Sequence, residues 1–200
     1  MPAVKFTKNE LKKQKDALKR YERYLPTLVL KKQQLQTVIS SVELQEREKR
    51  ARQEELRESI NAWIQLFGED AGMAELVKID RLETETGNIA GVDIPVFKSI
   101  SFQDIAYDLF TTPLWIDSGI EAFKRLVAFD AELEILKKQI ELLDEELRIT
   151  SQRVNLFEKV KIPETKWNIR KIRIYLGDQE TAAVVRGKIA KEMIVQETEA

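Results

Sequence analysis

The chain has 200 residues, 33 basic and 34 acidic, so it is close to neutral although about a third of it is charged. It has no His and no Cys, which excludes Ser-His triads, histidine bases, cysteine nucleophiles, thiolate zinc sites, disulfides and the Glu-x-x-His pairs of di-iron bundles. Seven Gly and five Pro leave little material for turns, which argues against a many-stranded sandwich or barrel. No apolar run reaches the roughly 18 residues that cross a bilayer. Residues 1–10 lack the apolar core of a signal peptide, so the expectation is a soluble, cytoplasmic chain without direct membrane insertion.

Residues 1–67 read as one helix. Alternating steps of three and four from Leu11 meet Leu18, Tyr21, Leu25, Leu28, Leu35, Ile39, Val42, Leu56, Ile60, Trp63 and Phe67. A mean spacing of about 3.5 residues marks a helix laid along a partner helix. The register holds from Leu11 to Phe67, about 85 Å of α-helix. It weakens over residues 43–58, which are mostly charged residues and Gln; Glu–Lys and Glu–Arg neighbours keep such a stretch helical while it buries little. Pro26 predicts a kink at residues 23–26 rather than a break, because the seam continues through it.

Residues 68–112 read as an insert containing Gly68, Gly72, Gly87 and Gly91. Strand-like clusters at 76–82 and 92–102, around Gly87-Asn88, predict a short β-hairpin; residues 102–110 look like a short helix. Two strands alone are marginal in water, so the insert must rest on the helices or on a partner.

Residues 113–200 return to the helical pattern. Leu126, Phe129, Leu133, Leu136, Ile140, Leu143, Leu147, Val154 and Phe157 follow the same step, with Thr150 the polar exception. The helix is expected to begin between residues 113 and 118, to break near Pro163, and to resume at Ile169, Ile172 and Leu176. Gly177 and Gly187 each cost about 1 kcal/mol relative to Ala, and residues 195–200 are expected to fray. The fold class is therefore mainly α: a long antiparallel coiled coil of N- and C-terminal helices with a mid-chain insert. A bundle of helices folded back on themselves is the alternative, and the unbroken registers favour the extended form.

Charge is unevenly distributed. From Lys5 to Lys32 there are ten basic residues against three acidic; from Lys159 to Lys191, nine against three. Residues 33–158 carry 14 basic and 25 acidic. An antiparallel hairpin gathers both basic ends, where like charges repel unless an acidic partner relieves them. Nucleic acid, a membrane surface and an acidic protein cavity all satisfy that condition. The absence of a nucleic-acid motif and of a wide apolar face disfavours the first two.

Nothing in the sequence points to catalysis or to a cofactor. Residues 68–72 are acidic and lack the Lys-Ser or Lys-Thr ending of a phosphate loop. Glu54-Glu55 and Asp144-Glu145-Glu146 sit off the seam and read as solvated pairs. Trp63, Trp115 and Trp167 read as packing anchors rather than ligand-stacking residues.

Several short motifs, in order, carry a resemblance. Arg153-Val154-Asn155-Leu156-Phe157-Glu158 is followed by Ile162-Pro163 and by Ile169-Arg170 with Ile172. Thr7-Lys8 with Glu10-Leu11 stands at the start, and Asn88-Ile89-Ala90-Gly91-Val92 with Pro95 in the middle. Over nearly its whole length the chain resembles the D subunit, the central stalk, of V-type and archaeal-type (A-type) rotary ATPases. It departs in having Gly177-Asp178-Gln179-Glu180 where the family's last helix is more basic, and in Pro26.

The resemblance implies a rotor shaft with no chemistry of its own. Its termini would stand inside a ring of catalytic and non-catalytic subunits. Its middle would point to the membrane rotor and its connecting subunit, with the small F subunit of the stalk alongside. It would be cytoplasmic and peripheral to the membrane within a larger complex. The candidate ring-facing residues are Lys8, Lys12, Lys13, Lys15, Arg20, Arg170, Lys171, Arg173, Arg186 and Lys188. The competing reading is a generic coiled-coil adaptor that self-associates or binds another helical protein.

Overall fold

The computed structural model describes residues 4–61, 76–107 and 115–199. In chain order these form α1 (Lys8–Asn61), β1 (Ile79–Ile89), β2 (Val92–Phe102), α2 (Ile116–Asn155), a π-helical segment (Leu156–Lys161) and α3 (Ile162–Glu199). The far end of the expected first helix, with Trp63 and Phe67, lies outside the described residues, as do Gly68, Gly72 and Pro113. Of the segment read as a short helix, Phe102 closes β2, residues 103–107 are irregular, and 108–110 lie outside the described residues.

The chain divides into two compact units. A terminal unit holds Met1–Leu30 with Thr150–Ala200; a hairpin unit holds Lys31–Ile149.

In the terminal unit, α1 starts on a side-chain cap. Thr7 Oγ1 accepts the Glu10 N–H at 3.2 Å, and Thr7 O accepts the Leu11 N–H at 3.0 Å. A Thr in this position satisfies a donor that the first turn leaves orphaned. Pro26 lies inside α1, which remains one helix through it. Contacts to the C-terminal part of the chain fix direction. The Tyr21 and Phe157 rings are 5.3 Å apart, and those of Phe6 and Tyr175 are 5.1 Å apart. Glu22 meets Lys166 at 3.2 Å and Lys8 meets Glu180 at 3.4 Å. Earlier residues of α1 meet later residues of α3, so the helices are antiparallel.

The break expected near Pro163 is instead a π-helical segment just before it, and α3 then continues to Glu199, through the stretch expected to fray. The Ile162 N–H donates to Phe157 O, five residues back. Pro163 offers no N–H, and its ring crowds the carbonyl four residues earlier. A wider turn there relieves the crowding without ending the helix. The extra residue also resets the seam. Thr165, Ile169 and Ile172 are buried one position after the residues that the three-four step from Val154 selects, and Ile172 is fully buried while Lys171 is exposed. Asn168 shares the burial with Ile169.

In the hairpin unit, α1 and α2 are again antiparallel. Lys31 meets Glu146 at 2.6 Å, Lys49 meets Glu132 at 2.5 Å, and Gln53 donates to Asp130 at 2.6 Å. The polar stretch of α1 therefore does more than stay solvated: buried Gln53 and half-buried Lys49 are polar cross-links on the seam. The apolar core joins Leu35, Ile39 and Val42 of α1 to Leu143 of α2 and Ile94 of β2. Ile94 is how the hairpin rests on the helices, helped by the Gln139 amide, which donates to Pro95 O. After β2, the Tyr107 hydroxyl donates to Asp117 in the first turn of α2, and this bond raises the Tyr107 pKa.

The hairpin turn is Ala90-Gly91, not Gly87-Asn88. Both turn residues have positive φ, 53° and 78°, as the favoured two-residue hairpin turn requires. Asn88 supports the turn from within β1: its Oδ1 accepts the Gly91 N–H at 3.2 Å and its Nδ2 donates to Asp93 at 2.6 Å. Gly87 serves a close approach, since a Cβ there would lie 2.9 Å from Val96 Cγ2.

Leu143 is fully buried, so Leu143→Ala should destabilise the chain by about 3 kcal/mol. Thr150 is also fully buried, and its hydroxyl has no hydrogen-bond partner among the described residues. Thr150→Val should therefore stabilise by about 1 kcal/mol. Urea denaturation measures both; a lower midpoint for Thr150→Val would show that the hydroxyl is satisfied.

Candidate docking surface of the terminal unit

None of the expected seam residues among the described residues is exposed. Leu35, Ile39, Leu133, Leu143 and Val154 are buried; Leu11, Leu18, Leu25, Leu28, Leu136, Ile140, Leu147 and Phe157 are half-buried. The apolar residues of the seam are thus engaged in packing, whereas others, such as Leu30 and Leu44 of α1 and Ile174 of α3, are exposed.

All ten candidate ring-facing cations are exposed. The fold brings some of them together. Lys15, Arg170 and Arg173 line a cleft of about 420 Å³ with Lys19, Lys166 and Glu22, over Leu18, Ile169 and Ile174. Lys13 and Arg20 share a second recess with Lys19, Arg23 and Asp16. Glu22 is engaged by Lys166, whereas Lys15, Lys19, Arg170 and Arg173 have no ion-pair partner among the described residues.

The other candidates line neither recess. Lys8 pairs with Glu180, and Lys171 stands 3.8 Å from the centre of the Trp167 ring. Lys12, Arg186 and Lys188 stand apart on the helix surfaces. Trp167 is 54% exposed, so it is a surface platform for Lys171 and not a packing anchor. Trp115 is half-buried at the start of α2, where its carbonyl accepts the Gly119 N–H at 3.0 Å.

Lys19, Arg23 and Lys166 were not singled out from sequence, although the signal was present. Lys15, Lys19 and Arg23 recur every fourth residue, and Lys166, Arg170 and Arg173 follow a four-three step, so each set occupies one helix face.

A groove with several unpaired cations and an apolar floor suits carboxylate side chains. The arginines hold them in forked, charge-assisted hydrogen bonds. It has no nucleophile–base pair, and no cluster of possible metal ligands occurs among the described residues.

Beyond Glu180, which pairs with the first residue of α1, α3 continues to Glu199. Val184, Val185, Ile189 and Met193 on this stretch are each at least half exposed, an apolar surface above the basic one. The Cβ positions of Gly177 and Gly187 face open space.

A family profile described as the ATP synthase D subunit matches residues 10–192. The chain is 55% identical to the V-type ATP synthase D subunit of Borreliella burgdorferi, over 98% of this chain and 97% of that one. It is 39% identical to the proteins of the same name from Chlamydia abortus and Chlamydia muridarum, over 98% of this chain in each case and 96% and 98% of theirs. No helix among the described residues is long and apolar enough to cross a membrane.

Because nothing touches the added methyl, Gly177→Ala and Gly187→Ala should each stabilise α3 by about 0.5–1 kcal/mol. Circular dichroism should show a higher thermal midpoint for the double variant; a lower one would mean that the glycines serve a packing need.

Proposed function

The chain belongs to the ATP synthase D-subunit family, and on that premise we propose that it is the non-catalytic central-stalk (rotor-shaft) subunit of a V/A-type rotary ATPase. The observation that carries this reading is the basic cleft shared by α1 and α3, with exposed apolar residues on α3 beyond it. A shaft needs a rigid body that docks without chemistry, and paired helices with a hydrophobic seam supply one. Residues 1–67 and 113–200 would form the shaft, and 68–112 the insert that faces away from the ring.

Catalytic and non-catalytic ring subunits would surround the termini. The small F subunit of the stalk and the membrane-rotor connecting subunit would bind elsewhere on the chain. The protein would be cytoplasmic and peripheral to the membrane. ATP hydrolysis or synthesis in the ring would couple to ion translocation because an asymmetric shaft biases the surrounding sites differently at each docked angle. The cations Lys15, Lys19, Arg170 and Arg173 would meet acidic loops of the ring. Exposed electrostatic attraction guides docking but is shallow enough to release on turning.

Replacing Lys15, Lys19, Arg170 and Arg173 together with Gln should weaken assembly of the purified chain with its ring at least tenfold at low salt. Raised salt should reproduce that loss in the unaltered chain, because screening mimics neutralisation. Assembly that is insensitive to both changes would overturn the electrostatic role. A stable symmetric dimer of the isolated chain, with no affinity for the ring, would favour the adaptor.

A further inference from the structure

The seam of the terminal unit changes step at the π-helical segment. Continued from Val154, the three-four step would bury Lys161, Glu164, Asn168, Lys171 and Tyr175. The positions one residue later are Ile162, Thr165, Ile169, Ile172 and Leu176. Of this second row, Thr165, Ile169 and Ile172 are buried and Ile162 and Leu176 are half-buried, whereas Lys171 and Tyr175 of the first row are exposed. Thr165 enters the seam satisfied, because its hydroxyl donates to Lys161 O at 2.6 Å.

One residue of an α-helix is about 100° of rotation. A helix of the same length without the wide turn would present the first row to α1. It would take Lys161, Glu164 and Lys171 out of water in place of three isoleucines, and desolvating charge is costly. The π turn avoids that and keeps its backbone bonded, with the Ile162 N–H on Phe157 O. Pro163 explains why the helix is disturbed at this point. A proline has no preference for which row is buried as far on as Ile172.

The same rotation aims the cations. Lys166, Arg170 and Arg173 each directly follow a buried residue, so they flank the seam on one side. There Lys166 meets Glu22 of α1 at 3.2 Å, and Arg170 and Arg173 line the cleft with Lys15 and Lys19. With the first row inward, these three cations would turn by about 100°, from the flank of the seam to the side of α3 away from α1.

We propose that the extra residue of the π turn is a register adapter, held by the seam rather than by Pro163, and that it positions the α3 cations of the basic cleft beside α1. The inference concerns the pairing of α1 with α3 and does not depend on the rotor reading. A chain with one residue fewer in this segment needs no wide turn, because everything from Ile162 onward then falls in step with Val154. The adapter is a fixed feature and not a spring, since reverting it exchanges isoleucines for charges.

The absence of Cys makes the test direct. Lys171→Cys and Ile172→Cys, introduced singly, report which row is buried. Each is labelled with a maleimide in three backgrounds: the unaltered chain, Pro163→Ala, and Pro163→Ala with Lys159 deleted. Lys159 and Pro163 are exposed, so neither change empties the core. Position 171 should react at least tenfold faster than position 172 in all three. Protection of 171 and exposure of 172 in the Pro163→Ala chain would show that the proline alone holds the turn, and would overturn the proposal. The same reversal in the deletion chain would overturn it too.

Urea denaturation supplies a second readout. Deleting Lys159 should leave the midpoint of the Pro163→Ala chain equal or higher. A lower midpoint would contradict the adapter, because removing a residue from an ordinary helix throws every later position off its seam.

Discussion

Every larger feature depends on burying two narrow apolar stripes against each other. A single amphipathic helix in water is marginal, because nucleation is costly and little area is removed from solvent. Pairing α1 with α2 in one unit and with α3 in the other gives each stripe a partner. Leu35 and Leu143 are fully buried in the hairpin unit, as is Ile172 in the terminal unit. Direction is held by contacts on the flanks: Lys31–Glu146 and Lys49–Glu132 in the hairpin unit, Glu22–Lys166 in the terminal unit. These flanking pairs are partly or largely exposed, so they contribute register more than stability. Because the stripes are narrow, most of each helix surface is left to face outward and to be specialised for partners.

The specialisation differs by face and by unit. In the terminal unit the outward surface is cationic, with an apolar floor between the helices. In the hairpin unit one helix face is charged and self-paired. Net charge near zero conceals this division, since the chain's own acidic middle balances its basic ends. The buried polar position Gln53 serves register rather than stability. Gln53 reaches across to Asp130, which opposes a slip of one helix along the other.

Every described Leu, Ile and Val that the three-four spacing marks as far as Val154 is buried or half-buried, because periodicity follows directly from helix geometry; beyond the π-helical segment the buried positions shift by one residue. The hairpin was legible from its strand-like residues, but its turn was not. Gly87-Asn88 is a strong local turn signal, yet Gly87 is needed for clearance from Val96, and Asn88 serves the turn through its side chain. Ala90-Gly91 carried a weaker signal because Ala rarely takes positive φ. Pro163 pointed to a break, and the structure has a π-helical turn just before it instead. Its form was hidden, since a π-helical turn is a backbone solution whose one-residue shift appears only in which downstream residues become buried. The basic cleft was partly visible as two cationic runs. Which cations face it depends on the pairing of α1 with α3, so Lys19 and Lys166 could be chosen only after the helices were placed.

The central claim is that the two ends of the polypeptide run side by side in opposite directions within the terminal unit. Spin labels at Lys8 and Glu180, whose side chains meet at 3.4 Å, test it by pulsed electron resonance in solution. Adjacent helices predict one narrow distribution centred on the order of 20 Å, once label length is added to the helix spacing. A distribution centred several tens of ångströms further out, comparable to the length of the helices themselves, would contradict it.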